Sequence, residues 1–455
     1  MVLKRRKGET SLTKRIVALV FAAIAFGVVT TLPVDLPQEQ LNVLAVVVVA
    51  AILWFSEALP LFVTSLIVPV LLGLTTKLSA AQLYQPFFDP VVALFFGSFV
   101  MAAALEKHRL DQRVAAVVFR RFGSNPRYLL LGLMISVAII GMWLSNTATV
   151  AFLLPVFLYV IRTNSLERRA PRYTKALLLG LAFATAFDGL ATIIGTPPNA
   201  IAVRYLAQTG IDINFFDWMV FGVPTMLVMV PLAWLGLMAV FPPEIKRLKV
   251  NVPKLGPWSR AQKQTVAILL LVMGLWLTQP LHGLDTTAIA IMGVVALFVG
   301  GLLQPKDLAR ISWPTLILFG GGLVLGEAMF STGVTDLIAN GLTLLVGAQS
   351  EAIMLIGLLV FAVLLTTFGS NTAMAAILVP IVVSFAATTG AAVAPLVIGV
   401  TMALSVDVIS PIGTPPNAMV HGTGHLRVSD FIRAGLLISI LGIAVVFVVV
   451  SLLVH

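Results

Sequence analysis

Long apolar runs separated by short polar stretches dominate this chain. Ile16–Pro33, Leu41–Trp54, Thr265–Thr278, Thr286–Leu303 and Phe431–Val454 are 14 to 24 residues long and carry almost no charge. A helix crosses a bilayer with about 20 apolar residues, and in hydrocarbon its backbone must bond internally. The pattern therefore predicts an all-α polytopic membrane protein. One stretch departs from it. In Arg109–Phe122, Leu110, Val114 and Val117/Val118 stand opposite Arg113, Arg120 and Arg121 at helical spacing, which predicts an amphipathic helix on the cytoplasmic surface. The basic start at Lys4, Arg5, Arg6 and Lys7 imitates a secretory leader. The apolar run behind it is longer than a leader's, however, and its small-x-small triplet Ala23–Ala25 lies inside the run. The reading is a first membrane span.

Composition agrees: 59% of residues are hydrophobic and 11% charged, against roughly 25% charged in soluble domains. The chain has no cysteine, which excludes disulfides, thiol catalysis and Cys-type metal sites. A formal net charge of +10 would suggest nucleic acid in a soluble protein, but its placement says otherwise. With the N-terminus cytoplasmic and the loops assigned alternately, 27 of the 29 Lys and Arg fall on the cytoplasmic side, leaving Lys77 and Arg204 outside. The basicity thus records topology. It predicts a multi-pass protein of the plasma (inner) membrane, embedded in lipid and with no nucleic-acid partner.

An internal repeat organises the chain. Ser145-Asn146-Thr147-Ala148 recurs as Ser370-Asn371-Thr372-Ala373, each with a proline ten residues after its serine (Pro155, Pro380). Gly195-Thr196-Pro197-Pro198-Asn199-Ala200 recurs as Gly413-Thr414-Pro415-Pro416-Asn417-Ala418, and the segment from Pro90 echoes that from Pro314. The offsets are 225, 218 and 224 residues. Basic clusters flank the first Ser-Asn-Thr segment, whereas 332–391 contains no Lys or Arg, so the two halves have opposite orientation. Inverted-topology repeats mark secondary transporters. Tyr128–Ile161 and Ala352–Thr388 each hold the motif at mid-segment, which predicts two hairpins dipping into the membrane.

The chemistry follows from backbone that must leave the helix. Tandem prolines remove two N–H donors and push the preceding residue out of the α region. Each Gly-Thr-Pro-Pro-Asn therefore splits a span into two half-helices, with carbonyls freed on one side and N–H groups on the other. Helix N-termini favour anions; loose carbonyls with Ser, Thr and Asn oxygens suit a hard monovalent cation such as Na⁺. Two hairpin tips would supply Asn146, Thr147, Asn371 and Thr372 to a ligand with two anionic ends. No motif contains Lys or Arg, and Arg204 is expected to point outward, so co-bound cations must balance the ligand's charge.

In this order and spacing the motifs resemble the divalent anion/sodium symporter family, which includes dicarboxylate, citrate and sulfate cotransporters; the likeness covers nearly the whole chain. The resemblance implies about eleven spanning helices, two re-entrant hairpins, a homodimer and elevator movement. It divides the chain into scaffold (1–123), hairpin and broken helix (124–241), cytoplasmic linker (242–263), second scaffold part (264–348) and second transport part (349–455). Carried over residue by residue, one Na⁺ site uses Ser145, Asn146 and Gly195, and the other Thr366, Ser370, Asn371 and Gly413. The anion meets Asn146, Thr147, Thr196, Pro197, Asn371, Thr372, Thr414 and Pro415. Three residues depart from the pattern. Gly141 stands where relatives usually carry a hydroxyl, and Asp188 and Asp407 occupy places usually small or neutral. Intramembrane carboxylates are costly; each is read either as a cap or as a group assisting cation or proton coupling.

Other polar residues have plainer readings: His421 and His425 solvated beside Arg427, Glu57 and Glu327 in scaffold hydrogen bonds. Trp54, Trp143, Trp218, Trp276 and Trp313 read as interface anchors. An intramembrane enzyme would need a metal or carboxylate arrangement, and no HExxH or GxGD-like set occurs. A channel fits the midplane breaks but not an anion site neutralised by bound cations. The expected activity is transport of a small dianion, a C4-dicarboxylate such as succinate, coupled to Na⁺. The alternatives are a Na⁺-independent dicarboxylate exchanger or a sulfate or citrate carrier.

Overall fold

The computed structural model describes residues 12–249, 255–346, 350–411 and 414–454; these are helices and connecting turns without a strand. Lys4, Arg5, Arg6, Lys7 and Gly413 lie outside the described residues. Leaving aside helices of six residues or fewer, the first half holds α1 (Leu12–Thr30), α2 (Gln38–Ser56), α3 (Leu61–Thr75), α4 (Pro90–Lys107) and α5 (Leu110–Phe122). It continues with α6 (Pro126–Gly141), α7 (Asn146–Thr163), α8 (Pro171–Asp188), α9 (Pro197–Gln208) and α10 (Phe215–Val240). The second half holds α11 (Arg260–Leu277), α12 (Thr286–Val299), α13 (Trp313–Ser331), α14 (Val334–Val346) and α15 (Glu351–Thr367). It ends with α16 (Asn371–Thr389), α17 (Val393–Val406), α18 (Pro415–His421) and α19 (Val428–Leu453). Among the described residues, eight helices are long and apolar enough to cross a membrane, and five shorter ones are apolar. With α8–α9 and α17–α18 each taken as one interrupted crossing, and the two hairpins and the short helices α5 and α14 set apart, the described residues hold eleven crossings.

Local chemistry marks the helix starts. Asn125 caps α6 by accepting from Arg127 N at 3.0 Å, with Pro126 at the first helical position, where a missing N–H costs nothing. Asn214 and Asp217 form a capping box at α10, each side chain accepting from the other's backbone N–H at 3.0 Å. Close approach of helices relies on small residues: a Cβ on Gly321 would come within 2.3 Å of Ser65 O, so α13 lies flush on α3.

Hydrogen bonds at the ends of each hairpin establish the inversion. Both ends of the α6–α7 hairpin are laced to the segment after α10. Leu248 N donates to Ser124 O at 2.8 Å, and Lys249 N donates to Asn164 Oδ1 at 2.6 Å. The α15–α16 hairpin is closed by Ala392 N donating to Glu351 Oε1 at 3.2 Å. α19 begins at the first mouth, where Asp430 accepts from Lys175 Nζ at 2.8 Å. Its 26 residues span about 39 Å at 1.5 Å per residue. It ends beside the second mouth, with Ser451 and Val454 lining a recess shared with Glu351 and Ala392. The two hairpins therefore open on opposite faces. Their second arms contain the paired prolines, Pro155 and Pro380, and the halves interlock crosswise: α9 packs on α16, and α18 packs on α7.

Three tryptophans differ from the sequence expectation. Trp54, Trp218 and Trp276 are buried, with indole N–H groups donating to Leu61 O, Leu190 O and Thr286 O. They sit near helix ends as anchors would, but neighbouring helices cover them. Position along a span does not reveal what packs against its end. Trp143 stacks on Phe215 with ring centroids 6.1 Å apart, and Trp313 is exposed. In α5 the buried stripe is Leu110, Ala115, Ala116, Val118 and Phe119, while Val117 is exposed.

Asp430 is buried and Lys175 is 28% exposed at the side chain, so the pair is only partly desolvated. Removing the cation strands the carboxylate, which costs roughly 3–5 kcal/mol for a fully buried pair; Lys175's exposure reduces this to about 2 kcal/mol. Lys175→Met is expected to lower the melting temperature in detergent, and adding Asp430→Asn to recover most of the loss. A melting curve unchanged in Lys175→Met would show that water already serves Asp430.

Candidate functional site

The split helices form where the prolines require. α8 stops at Asp188 and α9 restarts at Pro197; α17 stops at Val406 and α18 restarts at Pro415. Thr196 and Thr414 precede the restarts in extended conformation, with φ −147° and −138°, as expected before proline. The hairpins turn at Met142–Ser145 and Phe368–Ser370, and Asn146 and Asn371 open the returning helices.

These four breaks meet at one cavity. Ser145, Asn146 and Thr147 line it from one tip, Ser370, Asn371 and Thr372 from the other, and Thr196, Pro197, Thr414 and Pro415 from the split helices. Leu61, Phe99, Thr315, Leu318 and Pro416 complete the wall. The lining contains no charged side chain. Of the remaining residues singled out by sequence, Thr366 and Gly195 stand behind the wall. The Thr366 hydroxyl donates to Asn371 Oδ1 at 2.6 Å. Gly195 packs so tightly that a Cβ there would fall 2.7 Å from Gly189 O. Gly413 is outside the described residues.

The unwound stretches are braced by a residue whose role the sequence left unassigned. Asn199 Nδ2 donates to Gly189 O (2.6 Å) and Thr192 O (2.8 Å), and Asn417 Nδ2 donates to Ser410 O (2.9 Å). The asparagine of each Gly-Thr-Pro-Pro-Asn thus ties its own broken segment, and its recurrence in both copies was the available signal. Outside support comes from α10, where Trp218 Nε1 donates to Leu190 O at 3.0 Å. Several oxygens at the first break lack any donor: Asn146 Oδ1, both carboxylate oxygens of Asp188, and Asn199 Oδ1. Asp407 differs, because it accepts from Ile409 N at 3.1 Å. It is a turn-capping carboxylate.

Access to the cavity is asymmetric. A second cavity shares Phe99, Ser145 and Thr147 with the first and leads to Glu106, Arg310 and Ser312. At this mouth Lys107 Nζ meets Asp307 Oδ2 at 2.7 Å. Burial alone would raise the Asp307 carboxyl, but the Lys107 ammonium, the Gln304 N–H and the Arg310 charge hold it below the usual range. On the other side Arg204, from α9, clasps Asp89 at 2.8 Å and Glu327 at 3.2 Å. Arg204 therefore points away from the cavity as expected, and Glu327 bonds within the protein framework. His425 lies 3.5 Å from Glu167 and outside the cavity lining.

Two inverted halves, each contributing a re-entrant tip and a split helix to one polar, uncharged cavity, define a secondary transporter rather than an enzyme. The chain belongs to the family described as the sodium:sulfate symporter transmembrane region, whose model matches residues 9–454. It is 30% identical to a sodium-dependent dicarboxylate transporter, SdcS, of Staphylococcus saprophyticus, over 97% of this chain and 91% of that protein. It is also 30% identical to SdcS of Staphylococcus aureus, over 98% of this chain and 92% of that protein. Among solved structures, the Alcanivorax borkumensis YdaH transporter has a similar fold, with a TM-score of 0.60 and 15% identity over 91% of this chain and 98% of that one.

Proposed function

We propose that this protein carries small dianions, C4-dicarboxylates such as succinate, across the plasma (inner) membrane, coupled to Na⁺. The observation that carries the reading is the cavity lined by both Ser-Asn-Thr tips and both Thr-Pro restarts without a single basic side chain. A bound dianion needs counter-charge in so dry a place, and one cation beside each tip balances two carboxylates. Ser145, Asn146 and Gly195 hold the first cation; Thr366, Ser370, Asn371 and Gly413 hold the second. The anion lies between Asn146, Thr147, Thr196 and Pro197 on one side and Asn371, Thr372, Thr414 and Pro415 on the other. The sodium-dependent dicarboxylate transporters among the relatives support the same substrate class.

The basic segments set the N-terminus in the cytoplasm, which makes the Arg310 mouth cytoplasmic and the Arg204 cluster external. The structure is then the inward-open state. The segments 124–241 and 349–455 carry the site as a mobile unit, and 1–123 and 264–348 form the scaffold against which it slides as an elevator. Two such scaffolds join in a homodimer, and 242–263 is the cytoplasmic linker.

Uptake of labelled succinate by proteoliposomes tests the function. Replacing Na⁺ by choline is expected to reduce uptake at least tenfold, with malate and fumarate competing and sulfate and citrate failing to compete. Full exchange without Na⁺ would identify a dicarboxylate exchanger; competition by sulfate or citrate alone would move the substrate class.

A further inference from the structure

Asp188 is fully buried at the end of α8, makes no ion pair among the described residues, and has no hydrogen-bond donor for either oxygen. A buried carboxyl group in that condition either holds a proton or faces a cation. Its surroundings favour the cation. A Cβ on Gly141 would fall 1.7 Å from Asp188 Oδ2, so the carboxylate occupies the space a side chain at position 141 would fill. Gly141 closes the first hairpin arm, four residues before Ser145. On the other side of the same turn, a Cβ on Gly189 would fall 2.8 Å from Asn146 Oδ1, which also lacks a donor. Adjacent residues 188 and 189 thus press a carboxylate and a backbone face against the tip that offers an unpartnered amide oxygen. Both groups are donor-free oxygens at the same break, and each is open to a cation.

We infer that Asp188 is a direct ligand of the first cation, its carboxylate standing in for the side chain that Gly141 lacks. One carboxylate among neutral oxygens offsets the charge of a monovalent cation bound there, so on this side the anion is met by the N–H groups at the starts of α7 and α9, and the net positive charge comes from the second cation. The second position is built differently: Thr366 supplies a hydroxyl to Asn371 Oδ1, and Asp407 accepts from the Ile409 N–H. The two cation positions therefore differ in charge, and the first binds Na⁺ more tightly. This assignment rests on the Na⁺-coupled reading above.

Na⁺ binding to the purified protein in detergent, measured without substrate by thermal shift and by equilibrium dialysis with ²²Na⁺, separates the two claims. Asp188→Asn is expected to raise the half-saturating Na⁺ concentration at least tenfold. Gly141→Ala, which keeps the carboxylate but displaces it, is expected to raise it at least threefold. The double variant Gly141→Ser/Asp188→Ala is expected to bind at least threefold more tightly than Asp188→Ala, because a hydroxyl then fills the vacated place. Wild-type half-saturation in folded Asp188→Asn or in folded Gly141→Ala overturns the assignment while Na⁺ coupling stands. A wild-type protein that neither binds Na⁺ nor needs it for uptake overturns both.

Discussion

An Asn146→Ala/Asn371→Ala carrier will reach the membrane folded but take up succinate at least a hundredfold more slowly than wild type. Each asparagine opens the returning arm of a hairpin and lines the cavity, so in the proposed site each amide faces an anion on one side and a cation on the other. Hydrogen bonds to charged groups are worth roughly 1.5–3 kcal/mol. Losing two of them amounts to two decades or more at about 1.4 kcal/mol per decade. Both tips lie in turns at helix starts, and truncation there removes little packing, so the melting temperature should move little. Uptake in proteoliposomes beside a melting curve distinguishes this from simple misfolding. Retention of more than a tenth of wild-type uptake would place the anion elsewhere.

Gly195→Val is expected to abolish uptake to a similar degree by a different route. A side chain at 195 has backbone on its near side, with Gly189 O at 2.7 Å and Gly189 Cα at 2.8 Å. Neither atom moves freely, because Asn199 holds Gly189 O at 2.6 Å. Overpacking of this kind costs about 1–3 kcal/mol in stability. Transport suffers more, because a displacement of about 1 Å in ligand positions costs on the order of a hundredfold in rate. Gly27→Ala serves as the control: nothing lies within 4 Å of a Cβ at Gly27, and uptake should be unchanged. If Gly195→Val transports like Gly27→Ala, the stretch between α8 and α9 is not the rigid element described.

These expectations depend on features of unequal visibility in the sequence. The spans, the two hairpins and the two helix breaks were legible because each has a local cause. Apolar length forces a crossing, tandem prolines at 197–198 and 415–416 forbid a continuous helix, and identical motifs some 220 residues apart require equivalent surroundings. The ten residues lining the cavity from tips and breaks could be named for the same reason. Burial of Trp54, Trp218 and Trp276 was not legible, since it depends on which helix covers a span's end. α14, the counterpart of α5 ahead of the second hairpin, lacks the arginines that made α5 conspicuous and went unread.

Asp188 and Asp407 show the boundary most clearly. The chain presents them as equivalent, six or seven residues ahead of matching glycines. Only the folded arrangement separates them, giving one a backbone N–H and leaving the other facing the bare Cα of Gly141 with no donor. By itself the sequence determined where the backbone must cross, turn and break, because those are properties of a segment and its solvent. What each polar group meets at the break was decided by tertiary packing, because a partner 47 residues away along the chain becomes a neighbour only when α6 and α8 lie side by side.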